Sequence, residues 1–97
     1  MAAIQYQVSI AATAREDLAA LPTNFFDTVT RRIDALKIGI PGSVKRLSDF
    51  GYDYRLRVGD YRVLFDVRGD QITIQRVLHR RHAYASPPGK KKRKGEH

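Results

Sequence analysis

Alternation marks the first element of the chain. In Gln5–Ile10 (QYQVSI), Tyr6, Val8 and Ile10 fall on one face, which is the period of a β-strand. Ala14, Leu18 and Leu21 then recur at helical spacing. Thr13-Ala-Arg-Glu16 has the form of a capping box, in which the threonine hydroxyl takes a free backbone N–H and the glutamate reaches back. Pro22 ends this helix. Phe26, Val29, Ile33 and Leu36 form a second apolar stripe, with Thr23 or Asn24 as its cap and Gly39 and Pro41 as its stop. Phe25 and Ile40 are expected to widen its buried face. Residues 41–53 read as a loop with a short extended piece at Val44–Leu47. Two alternating runs then flank Gly59-Asp60, and a third, Gln71–Leu78, comes after Gly69-Asp70. The predicted order is β-α-α-β-β-β: an α+β domain with two N-terminal helices packed on one face of a small, mostly antiparallel sheet. The domain is expected to span residues 1–84. Residues 85–97 (ASPPGKKKRKGEH) have nothing apolar to bury beyond Ala85 and are expected to form a disordered basic tail.

The run from Tyr54 to Arg68, YRLRVGDYRVLFDVR, carries the densest charge in a strand region. A two-residue turn at Gly59-Asp60 sets Val58 opposite Tyr61, Leu56 opposite Val63 and Tyr54 opposite Phe65. These six residues share one face and cover the helices. Arg57 then lies opposite Arg62, and Arg55 opposite Leu64, on the face that the helices leave open. Directly opposed like charges destabilise a sheet, and an incoming anion would relieve them. Continuing the same register through Gly69-Asp70 puts Ile72 and Ile74 on the core side, but also Arg76. Two solutions are open: a β-bulge near Gln75, which sends Arg76 outward and brings Arg80 rather than His79 to the open face near Arg62, or an Arg76 that snorkels out at the sheet edge.

Composition changes the picture in one respect. The 97 residues carry a net charge of +8, and hydrophobic residues make up 42%. The charge is balanced over residues 1–43; the excess is shared equally between residues 44–84 and 85–97. So basic a chain points to a polyanionic partner such as nucleic acid. The absence of cysteine excludes a disulfide framework and a thiolate metal site. No apolar run approaches the ~20 residues of a membrane helix. The N-terminus lacks the basic-then-apolar order of a secretory signal. A cytoplasmic protein with no membrane partner is expected.

Tyr54-Arg-Leu-Arg-Val-Gly-Asp-Tyr-Arg-Val-Leu-Phe65 resembles the central hairpin of the RelE-type toxins of bacterial toxin–antitoxin systems, within the RelE/ParE superfamily. The resemblance extends to the opening strand, the Ala-Arg-Glu-Asp-Leu-Ala-Ala-Leu-Pro helix, the second helix and the closing His79-Arg80-Arg81-His82-Ala83-Tyr84. It implies an mRNA endonuclease that works in the ribosomal A site without metal or other cofactor. In this chemistry the mRNA 2′-OH attacks the adjacent phosphate and leaves a cyclic phosphate and a free 5′-OH. The resemblance also implies catalytic roles for Arg55, Arg57, Arg62, Arg80 and Tyr84. Arg62 and Arg80 would clamp the scissile phosphate, Arg55 and Arg57 would stabilise charge and orient the attacking group, and Tyr84 would stack on a base or orient the nucleophile. Well-studied members of the family carry lysine where this chain has Arg55 and Arg57. Arginine effectively cannot lose its proton, so the general base must be sought elsewhere, with His79 and His82 as candidates. Lys45, Arg46 and Arg81 are candidate RNA contacts. The tail residues Lys90, Lys91, Lys92, Arg93 and Lys94 would add affinity that is salt-dependent and independent of sequence.

The partners implied are the ribosome, its mRNA and a small cognate antitoxin, RelB-like or of another kind, whose acidic segment masks the basic face. Two alternatives stand beside this reading. One is the ParE branch of the same fold, which inhibits DNA gyrase and is matched in Val77-Leu78-His79. The other is a non-catalytic RNA- or ribosome-binding module.

Overall fold

The computed structural model describes residues 5–47 and 51–83. In chain order it contains β1 (Gln7–Ile10), α1 (Ala12–Ala19), α2 (Thr23–Ala35) continued by a 3₁₀ turn at Leu36–Ile38, β2 (Lys45–Arg46), β3 (Tyr54–Val58), β4 (Tyr61–Arg68), β5 (Gln71–His79) and α3 (Arg80–Ala83). The sheet order is β1-β5-β4-β3-β2. β1 runs parallel to β5 and every other pair is antiparallel. This is the α+β arrangement predicted, with β2 as the short extended piece and α3 as an additional turn of helix.

One face of the sheet holds the core. Leu56, Val58, Val63, Phe65, Ile72, Ile74 and Val77 pack with Ala14 and Leu18 of α1 and with Val29, Ile33 and Leu36. The alternation of β3 and β4 drives this burial, and each fully buried Val, Leu, Ile or Phe side chain contributes roughly 1.5–3 kcal/mol. Gly59 and Gly69 open the two tight turns with φ of 59° and 61°, the left-handed region that side chains resist. The hairpin register is the predicted one at all five pairs, from Tyr54 opposite Phe65 to Val58 opposite Tyr61.

Three local expectations are corrected. The Thr13 capping box does not form. The pairing of β1 with β5 extends to Ala11, whose N–H donates to the Ile74 carbonyl at 2.9 Å, so the helix starts at Ala12 and the Thr13 hydroxyl donates to the Gln75 carbonyl instead (3.3 Å). Neither Thr23 nor Asn24 caps α2; Pro22 occupies that position and its carbonyl accepts from Phe25 and Phe26. Phe26 leaves the buried stripe and is 40% exposed, and Phe25 is exposed to a similar extent, tilted against Tyr61 with ring centres 5.2 Å apart.

Of the two solutions for Arg76, the bulge is present. The β4–β5 register shifts between Leu64 and Phe65, leaving Gln75 without a partner residue on β4 and setting Arg76 opposite Leu64. Arg76 turns away from the core and binds Asp17 of α1 through Nε (2.8 Å) and Nη2 (3.1 Å). Beyond the bulge, polar groups tie the approach to β3 onto β4. Asp66 accepts from the Asp53 N–H (2.8 Å) and from Gln75 Nε2 (3.2 Å), and Asp53 accepts from Arg68 Nη1 (2.6 Å). Tyr52 is buried beside this network. Burial pushes its hydroxyl above the ordinary tyrosine pKa, and the Arg76 guanidinium opposes that push.

Two measurements test this packing. Phe65 is fully buried at the centre of the core, so Phe65→Ala should cost about 3–5 kcal/mol in urea denaturation; a loss below about 1 kcal/mol would show that the core does not close around it. The raised Tyr52 pKa means that the folded chain retains a proton which the unfolded chain releases above about pH 10. Its contribution is intact below that pH and is lost as pH rises through the folded value. Tyr52→Phe should therefore reduce the alkaline decline in stability, and an unchanged slope would show that the hydroxyl is not shielded.

Candidate functional site

The pleat that buries Leu56, Val58, Val63 and Phe65 delivers the intervening residues to the opposite face. Arg57 stands directly opposite Arg62, and Arg55 lies between Leu64 on β4 and Lys45 on β2. Four basic side chains are thus neighbours on three adjacent strands. The structure places Lys45 with this group but separates Arg46 from it. Arg46 pairs with Tyr54, and its guanidinium lies 6.0 Å from the centre of that ring.

Arg62 is the buried member, at 7% exposure. Its Nη1 donates to two main-chain carbonyls, those of Gly59 (2.9 Å) and Tyr61 (3.0 Å), so the hairpin turn itself holds the guanidinium. Its Nε is buried and, among the described residues, has no hydrogen-bond partner. Among the described residues, no carboxylate forms an ion pair with Arg62 or Arg57. Burial lowers the Arg62 pKa from its ordinary value. Arg57, Arg55 and Arg80 lower it further in that order, and Asp60 opposes them. A guanidinium with this surround remains charged. An incoming anion would supply an acceptor to its buried Nε, which has none among the described residues, and a buried donor without an acceptor is costly.

Arg80 reaches the cluster through the end of β5. Its N–H donates to the Asp60 carbonyl at 2.7 Å, docking the first residue of α3 on the β3–β4 turn, and its Nε lies 3.5 Å from Asp60 Oδ1. The bulge at Gln75 sets the parity that brings it there. His79 falls on the other face. Its ring stands edge-on to Tyr61 with centres 5.4 Å apart, and its Nδ1 accepts the Arg81 N–H at 3.2 Å. His82 and Arg81 are exposed on α3. Tyr84 and the tail residues Lys90, Lys91, Lys92, Arg93 and Lys94 lie outside the described residues.

The arrangement suits phosphate. Guanidinium groups bind phosphate oxygens through paired N–H donors, and a low-dielectric setting strengthens that interaction when charge accumulates on the phosphorus centre. Asp17, which holds Arg76 and the bulge that precedes Arg80, carries no signal in the sequence. No local pattern links residues so far apart.

Comparison with known proteins agrees with this fold. Residues 8–84 match the family described as the ParE toxin of type II toxin–antitoxin systems, parDE. Toxin RelE3 of Methanocaldococcus jannaschii is 44% identical over 41 residues, which cover 42% of this chain and 47% of that relative, so the chain matches about half of its length. The fold superposes on the toxin–antitoxin complex RelBE2 of Mycobacterium tuberculosis with a TM-score of 0.70 and 28% identity, covering 78% of this chain and 99% of the other. It also superposes on the archaeal RelE–RelB complex of Pyrococcus horikoshii OT3 with a TM-score of 0.69 and 30% identity, covering 81% and 99%.

Proposed function

Since the chain belongs to the ParE toxin family of type II toxin–antitoxin systems, and to the RelE-type toxins of the RelE/ParE superfamily, we propose that it is a ribosome-dependent endonuclease that cuts mRNA in the A site and so stops translation. The observation that carries this reading is Arg62, a guanidinium buried against carbonyls with three arginines around it and, among the described residues, no carboxylate in an ion pair with it. In the proposed reaction the 2′-oxygen of one nucleotide bonds to the adjacent phosphorus and the P–O5′ bond breaks. The products are a cyclic phosphate and a 5′-OH. Arg62 and Arg80 hold the non-bridging oxygens, and Arg57 and Arg55 meet the charge that develops in the pentacovalent state. The 2′-proton must leave and O5′ must gain one. Of the two candidate histidines, His82 is exposed beside Arg80 and Arg81, whereas His79 is engaged on the helix-covered face. We assign the proton transfers to His82.

The same charge defines the partner that silences the protein. Both of the matching structures described above are toxin–antitoxin complexes. A RelB-like antitoxin with an acidic segment over Arg55, Arg57 and Arg62 would satisfy the demand that mRNA meets during catalysis. No helix among the described residues is long and apolar enough to cross a membrane; a cytoplasmic location rests on the ribosomal target. A second reading, inhibition of DNA gyrase, draws on the ParE description of the matching family.

Programmed ribosomes separate these readings. With the native protein, primer extension should locate cuts at the A-site codon. Arg62→Ala should lower the cleavage rate by about 10²–10³-fold, the scale seen when one preorganised oxyanion donor is removed. Intact mRNA together with trapped gyrase–DNA complexes would overturn the endonuclease reading. Substitution of the histidines tests the proton transfers. His82→Ala should slow cleavage by about 10²-fold or more, while His79→Ala leaves it close to native. The reverse order would move the acid–base role to the other face.

A further inference from the structure

β1 pairs with β5 only from Gln71 to Ile74. Past that point the edge of β5 would present unpaired backbone groups, and α1 lies along it instead. Three successive residues are held there. The Gln75 carbonyl accepts from the Thr13 hydroxyl (3.3 Å), Arg76 donates through two nitrogens to the Asp17 carboxylate (2.8 and 3.1 Å), and the Val77 N–H donates to Asp17 Oδ2 (2.9 Å). Asp17 thus fixes the Arg76 side chain and, at the next residue, takes the place of a missing strand. These are the residues of the bulge and its flank.

The bulge sets the register of the rest of β5. With the register of the Gly69-Asp70 turn continued unchanged, Arg76 would lie opposite Val63 in the core and His79 opposite Asp60. With the bulge, Val77 faces Val63, Leu78 faces Arg62 and His79 faces Tyr61. The Arg80 N–H then reaches the Asp60 carbonyl, and Arg80 stands close enough to Arg62 to depress its pKa. A bulge adds a residue without a partner and would be lost by a one-residue slip unless something holds it. The bidentate Asp17–Arg76 pair is largely sheltered from solvent, the setting in which such geometry is most strongly directional.

We propose that Asp17 is a positioning residue. Its grip on Arg76 and on the Val77 N–H locks the β5 bulge, and through that register it sets Arg80 beside Arg62. The catalytic consequence rests on the endonuclease reading; the structural consequence does not. Amide hydrogen exchange and cleavage on programmed ribosomes test the two parts separately, using the full chain carrying Asp17→Ala, with Asp17→Asn and Arg76→Lys as milder variants should the alanine variant fail to fold. The amides of Val77 and Arg80 should exchange about tenfold or more faster, while those of the β3–β4 ladder keep their native protection. Single-turnover cleavage should slow by about tenfold or more at saturating ribosome, with the apparent affinity for the ribosome little changed, because Arg80 would be lost from the transition state rather than from docking. Native protection at Arg80 in all three variants, or a uniform loss of protection across the sheet, would overturn the positioning role. If local exchange at Val77 and Arg80 rises but the native chain cuts no mRNA, the clamp stands and only the endonuclease reading falls.

Discussion

Pleat parity governs this molecule. Once Leu56, Val58, Val63 and Phe65 bury against Val29, Ile33 and Leu36, the residues between them must stand on the opposite face. Those residues include Arg55, Arg57 and Arg62. A one-residue slip of β3 against β4 would carry the arginines into the core and the apolar set into water, so burial of the core and assembly of the basic face are one event. The two-residue turn at Gly59-Asp60 supplies the remaining constraint, because the Gly59 carbonyl also anchors Arg62.

The molecule compensates its charges unevenly. Arg76 is matched by Asp17, Arg68 by Asp53 and Lys37 by Asp34, each with a nitrogen–oxygen distance of 2.8 Å or less. Each of these pairs ties one structural segment to another or lies along α2 and its 3₁₀ turn. On the basic face the pattern reverses. Among the described residues, Arg57 and Arg62 oppose one another with no carboxylate in an ion pair with either, and Asp60 pairs with Arg80, at 3.5 Å. A sheet held together for stability alone would neutralise such a pair, since like charges directly opposite cost free energy. Carbonyl anchoring of Arg62 fixes its geometry and leaves its charge available, which is the preorganisation that stabilising a phosphoryl transition state demands.

Much of this was legible in the chain because its determinants are local. Alternation and the Gly-Asp turn specify five consecutive pairs of the hairpin, and with them the face that each arginine occupies. The misplaced Arg76 in a regular register already pointed to the bulge as one of two solutions. The features that escaped reading depend on partners distant in sequence. Thr13 looks like a cap until the β1–β5 pairing reaches Ala11 and draws its hydroxyl to Gln75. Asp17 lies 59 residues from the arginine it binds. Arg46 comes directly after Lys45 in a two-residue strand, and only the pairing of that strand with β3 sends one side chain to the basic face and the other over Tyr54.

The central claim is that the face bearing Arg55, Arg57, Arg62 and Arg80 receives the scissile phosphate of mRNA. The most direct measurement is an electron cryomicroscopy structure of the protein on a programmed ribosome whose A-site codon carries 2′-O-methyl groups, which block the attack and hold the substrate. The expected result is a phosphate of that codon within hydrogen-bonding distance of Arg62 and Arg80, with α1 and α2 on the far side of the sheet. A bound protein that turns its helix-covered face to the mRNA, with Arg62 remote from every phosphate, would contradict it.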